Sequence, residues 1–414
     1  MSWSSQIRIR SDIALHRRAE LVLFRVDECT YLVELRFWSV ILVTVQIDRI
    51  RLVTVPVELS APLRTSDGMH KSREATLMEI TDSHGYVGWG ENVAPTGVHY
   101  VGESHQDSVQ TMRDQFIPLL VSREIAVEEM DPNVWWGTEA FNFAKHALES
   151  AVWDLHARKE NMSLKNILGG QLDSIVVGVV VGMSDTIDEV VAECVQRRNE
   201  GYRRIKIKIS PGHDIEVVRQ VRAVLGDEYL LQVDANGAYT VEHIEHLNQL
   251  DAFNVQFIEQ PFAHDDIDSH IALARQGRVR VCMDESISSR KDLEQMLDLG
   301  ACSVVNIKPS RVGGIGEAVA MHNIVRARGV DAWVGGMLET GIGRASCLAV
   351  ASLPGFTMTP DLSASRRYFA RDITDPFEMH DGEIRVPKGP GIGVVPAPDI
   401  LASDAIRIET VFER

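Results

Sequence analysis

The chain has 414 residues, 45% hydrophobic and 24% charged, the balance of an ordinary globular protein able to bury a large core. Its 59 acidic against 42 basic side chains give a formal charge of −17, a sign that repels phosphate backbones and anionic lipid and speaks against nucleic acid or membrane as partner. Five widely spaced cysteines without a CxxC (Cys29, Cys194, Cys282, Cys302, Cys347) read as reduced thiols of a cytoplasmic protein rather than as a disulfide framework or zinc site.

Residues 1–45 mix basic, aromatic and short apolar stretches without a clear period. They read as an N-terminal extension with no assigned function, and a true start near Val43 accounts for the mismatch. The longest charge-free run there, 37–47, is 11 residues, against about 20 for a membrane-spanning helix. From 45 to 52 apolar and polar residues alternate, and 74–80 and 86–89 give further short strands around the turn Asp82-Ser83-His84-Gly85. Helices are predicted over 108–120 and 143–158, the second with Ala144, Ala147, Leu148, Ala151, Val152 and Leu155 on one face. Gly169-Gly170 closes a first, α+β domain of residues 46–170.

The second region has a rhythm. Short β-branched runs recur at 176–181, 205–209, 231–233, 255–258, 281–283, 304–307, 332–334 and 356–358, with amphipathic stretches such as 215–225, 241–250, 290–299 and 315–328 between them. Eight strand-helix units with near-continuous apolar strands predict a (β/α)8-type (TIM-like) barrel over 171–371. A doubly wound open sheet is the alternative, but Val181-Gly182-Met183-Ser184 lacks the glycine fingerprint such a sheet carries after its first strand. The tail, about 372–414, has no further repeat and is expected to return to the first domain.

Charge falls at one place in each unit. Lys208 ends the second strand, and Asp234, Glu259, Asp284 and Lys308 follow at intervals of 26, 25, 25 and 24 residues, one unit each. In a barrel such positions share one mouth, where the active sites of the fold lie. Asp234, Glu259 and Asp284, with no histidine or cysteine among them, make an oxygen-only donor set that suits Mg2+, with Mn2+ as substitute, and disfavours zinc. Lys208 and Lys308, on strands two and six of eight, flank whatever the cation holds. Lys206, two residues before Lys208, adds a like charge that lowers the pKa of a lysine base. A carboxylate substrate held there can lose its α-proton to a lysine, giving an enediolate. A β-leaving group then yields elimination, whereas a proton returned by the opposite lysine yields racemisation.

Taken alone, an aspartate after a strand is commonly a solvated loop residue or helix cap, and a lone lysine a surface residue. Five at unit spacing make the catalytic reading. Gly313-Gly314-Ile315-Gly316 and Gly341-Ile342-Gly343-Arg344 read as βα turns rather than anion cradles, and His99, His105, His146 and His156 as core or surface residues without ligand spacing.

With these residues in place the chain resembles the enolase superfamily, and within it the o-succinylbenzoate synthase / N-acylamino acid racemase group of the muconate lactonising enzyme-like branch. The resemblance covers about 46–400. It rests on Lys206-x-Lys208, Asp234, Glu259, Asp284 and Lys308, on Gly88-Trp89-Gly90-Glu91 and Ala151-Val152-Trp153-Asp154-Leu155, and on the runs 306–314, 336–344, 361–365 and 367–368. It implies a capping α+β domain formed by the N-terminal region and the C-terminal tail. It further implies Mg2+ on Asp234, Glu259 and Asp284, with Lys208 and Lys308 as the catalytic pair. In the synthases Lys208 would do the proton work while Lys308 steadies the enediolate by its charge. In the racemases both would transfer protons. Arg311, three residues after Lys308, would orient that lysine or tune its pKa. One departure concerns the lid: the group's capping loop is rather apolar, whereas Arg64-Thr65-Ser66-Asp67-Gly68-Met69-His70 is polar here, and a lid recognises the distal part of a ligand.

The expected function is a Mg2+-dependent carbon-oxygen lyase, an o-succinylbenzoate synthase of menaquinone synthesis that dehydrates 2-succinyl-6-hydroxycyclohexadiene carboxylate. N-acylamino acid racemisation through the same lysines is the alternative, alone or alongside the dehydration. A barrel that has lost activity and serves as a scaffold is a third, opposed by five workable residues at the five positions. The expected partners are a small carboxylate substrate and further copies of the chain in a homo-oligomer.

Overall fold

The computed structural model describes residues 19–26, 29–36, 46–65, 68–96, 100–122 and 136–414. The chain divides into a unit of residues 1–43 and a unit of residues 44–414. In the small unit β1 (Ala19–Val26) and β2 (Cys29–Arg36) pair antiparallel, with Val26 opposite Cys29. The absence of a clear period in this stretch did not predict that pairing.

The alternation from 45 onward becomes β3 (Ile47–Thr65), which pairs antiparallel with β4 (Gly68–Asp82), itself paired with β5 (Val87–Asn92). The β4–β5 connection is the predicted turn: Gly85 has φ +83° and donates its N–H to Asp82 O at 3.0 Å, while Asp82 Oδ1 accepts from His84 N and Tyr86 N. The last strand of the chain (Arg407–Glu413) lies on the other side of β3, so the order is last strand, β3, β4, β5. The predicted helix 108–120 is α1 (His105–Thr111), a π turn (Met112–Phe116) and α2 (Ile117–Val121). Pro118 removes a backbone donor from the ladder, which accounts for the irregular turn ahead of it.

The predicted helix 143–158 is α3 (Asn142–Lys159), nearly all of it buried. It lies directly on β5 because that strand presents glycines: a Cβ on Gly88 would sit 2.2 Å from Ala151 O, and one on Gly90 2.1 Å from Ala147 O. The short helix α4 (Leu164–Leu168) then ends at Gly169, φ +84°.

Beyond it runs an α/β array. β6 (Ser174–Val176) joins a small antiparallel sheet with Met379–His380 and Glu383–Arg385. Seven parallel strands follow: β7 (Gly178–Val181), β8 (Arg204–Lys208), β9 (Leu230–Asp234), β10 (Ile258–Glu259), β11 (Val281–Met283), β12 (Val304–Ile307) and β13 (Asp331–Val334). They hydrogen-bond in sequence order, each to the next. Between and after them come α5 (Ile187–Asn199), α6 (Ile215–Leu225), α7 (Ile244–Leu247), α8 (Ile267–Gln276), α9 (Arg290–Asp298), α10 (Ile315–Ala327) and α11 (Gly341–Ala351). The strands are buried on both faces, as their apolar runs require.

Two of the eight predicted strands break up, and a third, 255–258, overlaps the observed β10 only at Ile258. The 176–181 run splits at Val177, whose N–H goes to Gly382 O in the small sheet. The 356–358 run forms no strand, since Pro354, Gly355 and Pro360 crowd it. It still bridges the two ends of the parallel sheet: Thr357 N and Met358 N donate to Ala332 O, Asp361 N to Val334 O, and Gly178 N to Pro360 O. Among the described residues no helix is long and apolar enough to cross a membrane.

Candidate active site

The sheet carries the five charged residues at one end. Lys208, Asp234 and Glu259 are the last residues of β8, β9 and β10; Asp284 and Lys308 immediately follow β11 and β12. The register places Lys208 beside Asp234 and Asp234 beside Glu259. Lysine, aspartate, glutamate, aspartate and lysine therefore occupy five neighbouring strand ends.

The side chains interlock. Lys208 Nζ lies 2.7 Å from Asp234 Oδ2 and 2.5 Å from Asn236 Oδ1. Lys206 Nζ donates to Glu259 Oε2 at 2.7 Å and lies 3.1 Å from Asp234 Oδ2 and 2.8 Å from Asp361 Oδ2. Glu259 Oε1 accepts from Asn306 Nδ2 at 2.7 Å. Lys308 Nζ is 2.7 Å from Asp284 Oδ2 and 2.8 Å from Tyr100 Oη, which itself lies 3.2 and 3.3 Å from the Asp284 oxygens. Arg311 pairs with Asp284 Oδ1, gives Nε to Ile287 O and a terminal nitrogen to Asn306 O. The sequence reading attached Arg311 to Lys308; the structure pairs it with Asp284, the carboxylate Lys308 also binds.

Electrostatics follow from burial and pairing. Burial works to lower the Lys206 ammonium's pKa, but Asp361, Glu259 and Asp234 outweigh it and hold the value above the usual lysine range. Burial likewise opposes charge on Lys308, and Tyr100, Glu285 and Glu259 outweigh it. Asp234, despite burial, is held below the ordinary carboxylate range by Lys208 and Lys206. Lys208 is the accessible amine, its side chain 29% exposed against 3% for Lys206 and 9% for Lys308. It lines a cavity of about 1310 Å³ together with Tyr100, Asn236, Gln260, Glu285 and Arg311.

Among the described residues no three carboxylates already converge as a metal cluster. Lys206 spans Asp234 and Glu259, while Lys308 and Arg311 take Asp284. The donor chemistry is nevertheless that of a hard divalent cation: buried carboxylate oxygens on adjacent strand ends and no sulfur or imidazole. Glu285, next to Asp284, adds a buried Oε2 without a hydrogen-bond partner. These residues fit Mg2+.

Six neighbours escaped the sequence reading as site residues. Asn236, Gln260, Glu285 and Asn306 sit within two residues of a predicted one, and proximity to a strand end was their available signal. Tyr100 and Asp361 arrive from distant segments outside the unit spacing. Of the histidines, His146 is fully buried and pushed down to about 4 by that burial, and His105 Nε2 lies 3.0 Å from Thr76 Oγ1. His156 is buried, while His99 lies outside the described residues. The side chains of residues 64–70, expected as a lid loop, and of Cys29 also lie outside them; the other four cysteines are free and buried.

The glycine runs meet the protein's own carboxylates. Glu149 of α3 accepts from Ile315 N (2.6 Å) and Gly316 N (2.8 Å) at the start of α10, and a Cβ on Gly314 would stand 2.6 Å from its carboxyl carbon. Glu91 of β5 accepts from Thr340 N and Gly343 N at the start of α11. Glu103 accepts from Phe143 N and Ala144 N of α3. These helix N-termini, with their partial positive charge, are satisfied internally.

Comparison with known proteins bears on this geometry. Residues 48–169 match the mandelate racemase / muconate lactonizing enzyme N-terminal domain, and residues 189–400 match the enolase C-terminal domain-like family. An N-succinylamino acid racemase from Amycolatopsis sp. is 42% identical over 357 residues, 86% of this chain and 96% of the relative. An o-succinylbenzoate synthase from Geobacillus kaustophilus is 41% identical over 350 residues, 84% of this chain and 93% of the relative. The crystal structure of an enolase superfamily member from Enterococcus faecalis V583 superposes with TM-score 0.84 at 35% identity, covering 89% of this chain and all of that one. The chain belongs to the enolase superfamily, with the mandelate racemase / muconate lactonizing enzyme type of N-terminal domain.

Proposed function

We propose that this protein is an o-succinylbenzoate synthase, dehydrating a succinyl-hydroxycyclohexadiene carboxylate as a step of menaquinone synthesis. The observation that carries this reading is the run Lys208, Asp234, Glu259, Asp284, Lys308 on five neighbouring strand ends. The synthase and racemase names of relatives at 41% and 42% identity support the substrate class.

Asp234, Glu259 and Asp284 would hold Mg2+, which when bound supplies Lewis acidity toward a substrate carboxylate. Lys208 Nζ takes the α-proton, for which its exposure to the cavity suits it. Lys206, kept charged by three carboxylates, sets a positive field beside that amine. Lys308, held as an ammonium and steadied by Tyr100, stabilises the negative charge that develops on the substrate. Arg311 orients Asp284. The β-hydroxyl then departs as water, taking the proton that Lys208 removed, so the amine ends the cycle as it began.

The architecture consistent with this chemistry is a closed (β/α)8-type barrel of 171–371, the irregular 357–361 segment standing in for an eighth strand. Residues 46–170 with the tail form the capping domain. The bonds from Thr357, Asp361 and Gly178 support closure, and the pairing of the last strand with β3 supports the capping unit.

Racemisation of N-acylamino acids is the second reading, favoured by the Amycolatopsis relative and by the presence of two amines. Racemisation needs both lysines to exchange protons, whereas dehydration needs only one. The test offers the purified protein both substrates with Mg2+. Loss of the diene chromophore supports the synthase. Exchange of the α-proton of N-acylamino acids in D2O without that loss would transfer the assignment to the racemase, and inertness toward both would overturn it.

A further inference from the structure

Gln260 follows Glu259 directly and is 1% exposed. Its φ of +39° lies in the left-handed region, unfavourable for a residue with a long side chain and sustained only where surrounding structure over-determines it. A glycine would hold this backbone without strain. It would lack the carboxamide, and the carboxamide is fully engaged.

Gln260 Oε1 accepts from Asp284 N at 3.0 Å and Ser286 N at 3.2 Å. Its Nε2 lies 2.7 Å from Ser286 Oγ, 3.1 Å from Phe262 O and 3.3 Å from His270 Nε2. The main chain adds a bond from Gln260 N to Cys282 O at 2.9 Å and one from Gly237 N to Gln260 O at 2.7 Å. The residue therefore links the end of β10 to the loop after β9, the loop after β11 and helix α8.

His270 sets which way the amide points. Its Nδ1 stands 2.7 Å from Asp266 O, which only accepts, so Nδ1 carries the hydrogen. Burial disfavours a second proton on this imidazole, leaving Nε2 as an acceptor that faces the amide nitrogen. The amide oxygen is thereby aimed at the backbone of Asp284 and Ser286.

We propose that Gln260 is a positioning residue that fixes the Asp284–Ser286 backbone against Glu259, and so sets the spacing of two of the three carboxylates through which the protein binds its divalent cation. This rests on the reading that Glu259 and Asp284 hold that cation. Gln260 acts on affinity, through the backbone of the residues that bind.

The test measures Mn2+ binding to the full-length protein from the free-ion electron paramagnetic resonance signal, in the wild type, Glu259→Gln, Gln260→Gly and Gln260→Asn. The wild type binds and Glu259→Gln loses binding. Gln260→Gly, which relieves the backbone but removes the clamp, weakens binding by about 10- to 100-fold, the range for outer partners of metal ligands. Gln260→Asn, which tolerates the left-handed backbone but is one methylene shorter, shows the same weakening and serves if the glycine variant fails to fold. A folded Gln260 variant with wild-type Mn2+ affinity, including one with only a lower melting temperature, overturns the inference while leaving the metal reading intact. A wild type that binds no Mn2+, or a Glu259→Gln variant that binds normally, overturns both.

Discussion

Lys206 and Lys208 converge on a single oxygen: Asp234 Oδ2 lies 3.1 Å from the first amine and 2.7 Å from the second. The two lysines differ in everything else. Lys206 is buried and tied to two further carboxylates, whereas Lys208 opens to the cavity and has Asn236 as its other partner. One amine is a fixed charge and the other is available for chemistry.

Replacing Lys208 by alanine is therefore expected to reduce turnover by about 10²–10⁴-fold, the worth of a general base. The circular dichroism spectrum and Mn2+ binding are expected to stay close to wild type, since Asp234 keeps Lys206 as partner. Full activity in this variant would refute the role.

Lys308→Arg separates the two chemistries. Arginine keeps a positive charge but does not deprotonate in this range. Dehydration is expected to survive at a reduced, measurable rate, while interconversion of N-acylamino acid enantiomers, followed by polarimetry, falls below detection. Equal loss of both rates would mean that Lys308 transfers a proton in the dehydration as well.

Chelation gives a third expectation. Excess EDTA should abolish activity, and Mg2+ should restore it. Metal removal should also lower the urea midpoint, because Asp234, Glu259 and Asp284 stand at the ends of three separate strands that a shared cation would draw together. Activity indifferent to chelator contradicts the assignment.

Glu149 predicts a pH dependence remote from the chemistry. Burial pushes its carboxyl up from 4.5 to about 7, against the opposing pull of the N–H groups of Gly316, Ile315 and Trp153. The folded state thus binds this proton more tightly than the unfolded chain. The favourable contribution is complete below pH 4.5 and is lost as pH rises through about 7. The stability of Glu149→Gln relative to wild type should rise by about 3 kcal/mol between acidic and mildly alkaline pH, from 1.36 kcal/mol per unit. Urea titrations at both ends test this, and parallel profiles for the two proteins would exclude it.

Much of the site was legible because strand-helix repetition is a one-dimensional property. A charged residue recurring every 24–26 positions after an apolar run has to return to the same end of the sheet. The string Gly88-Trp89-Gly90-Glu91 was visible as resemblance alone, and Glu149, two residues ahead of the string Ala151–Leu155, was not singled out. The structure supplies their physical cause, glycines that admit a helix onto a strand and carboxylates that close the first turns of α10 and α11. The two misread strands have local causes as well: prolines and a glycine break 356–358, and Val177 leaves the parallel sheet to bond Gly382.

What the sequence determined by itself was which residues stand at the strand ends and in what order, since the period of a strand and the length of a unit dictate both. Which of those charges pair was decided by tertiary structure. Tyr100 meets Lys308 across 208 residues of chain, and Asp361 meets Lys206 from beyond the last strand of the parallel sheet. Arg311 goes to Asp284, and a glutamine in a left-handed backbone ties two carboxylate-bearing loops together. No local period encodes such meetings. They exist because burial leaves a charge no water to pair with, so each must find its partner among whatever segments the fold packs against it.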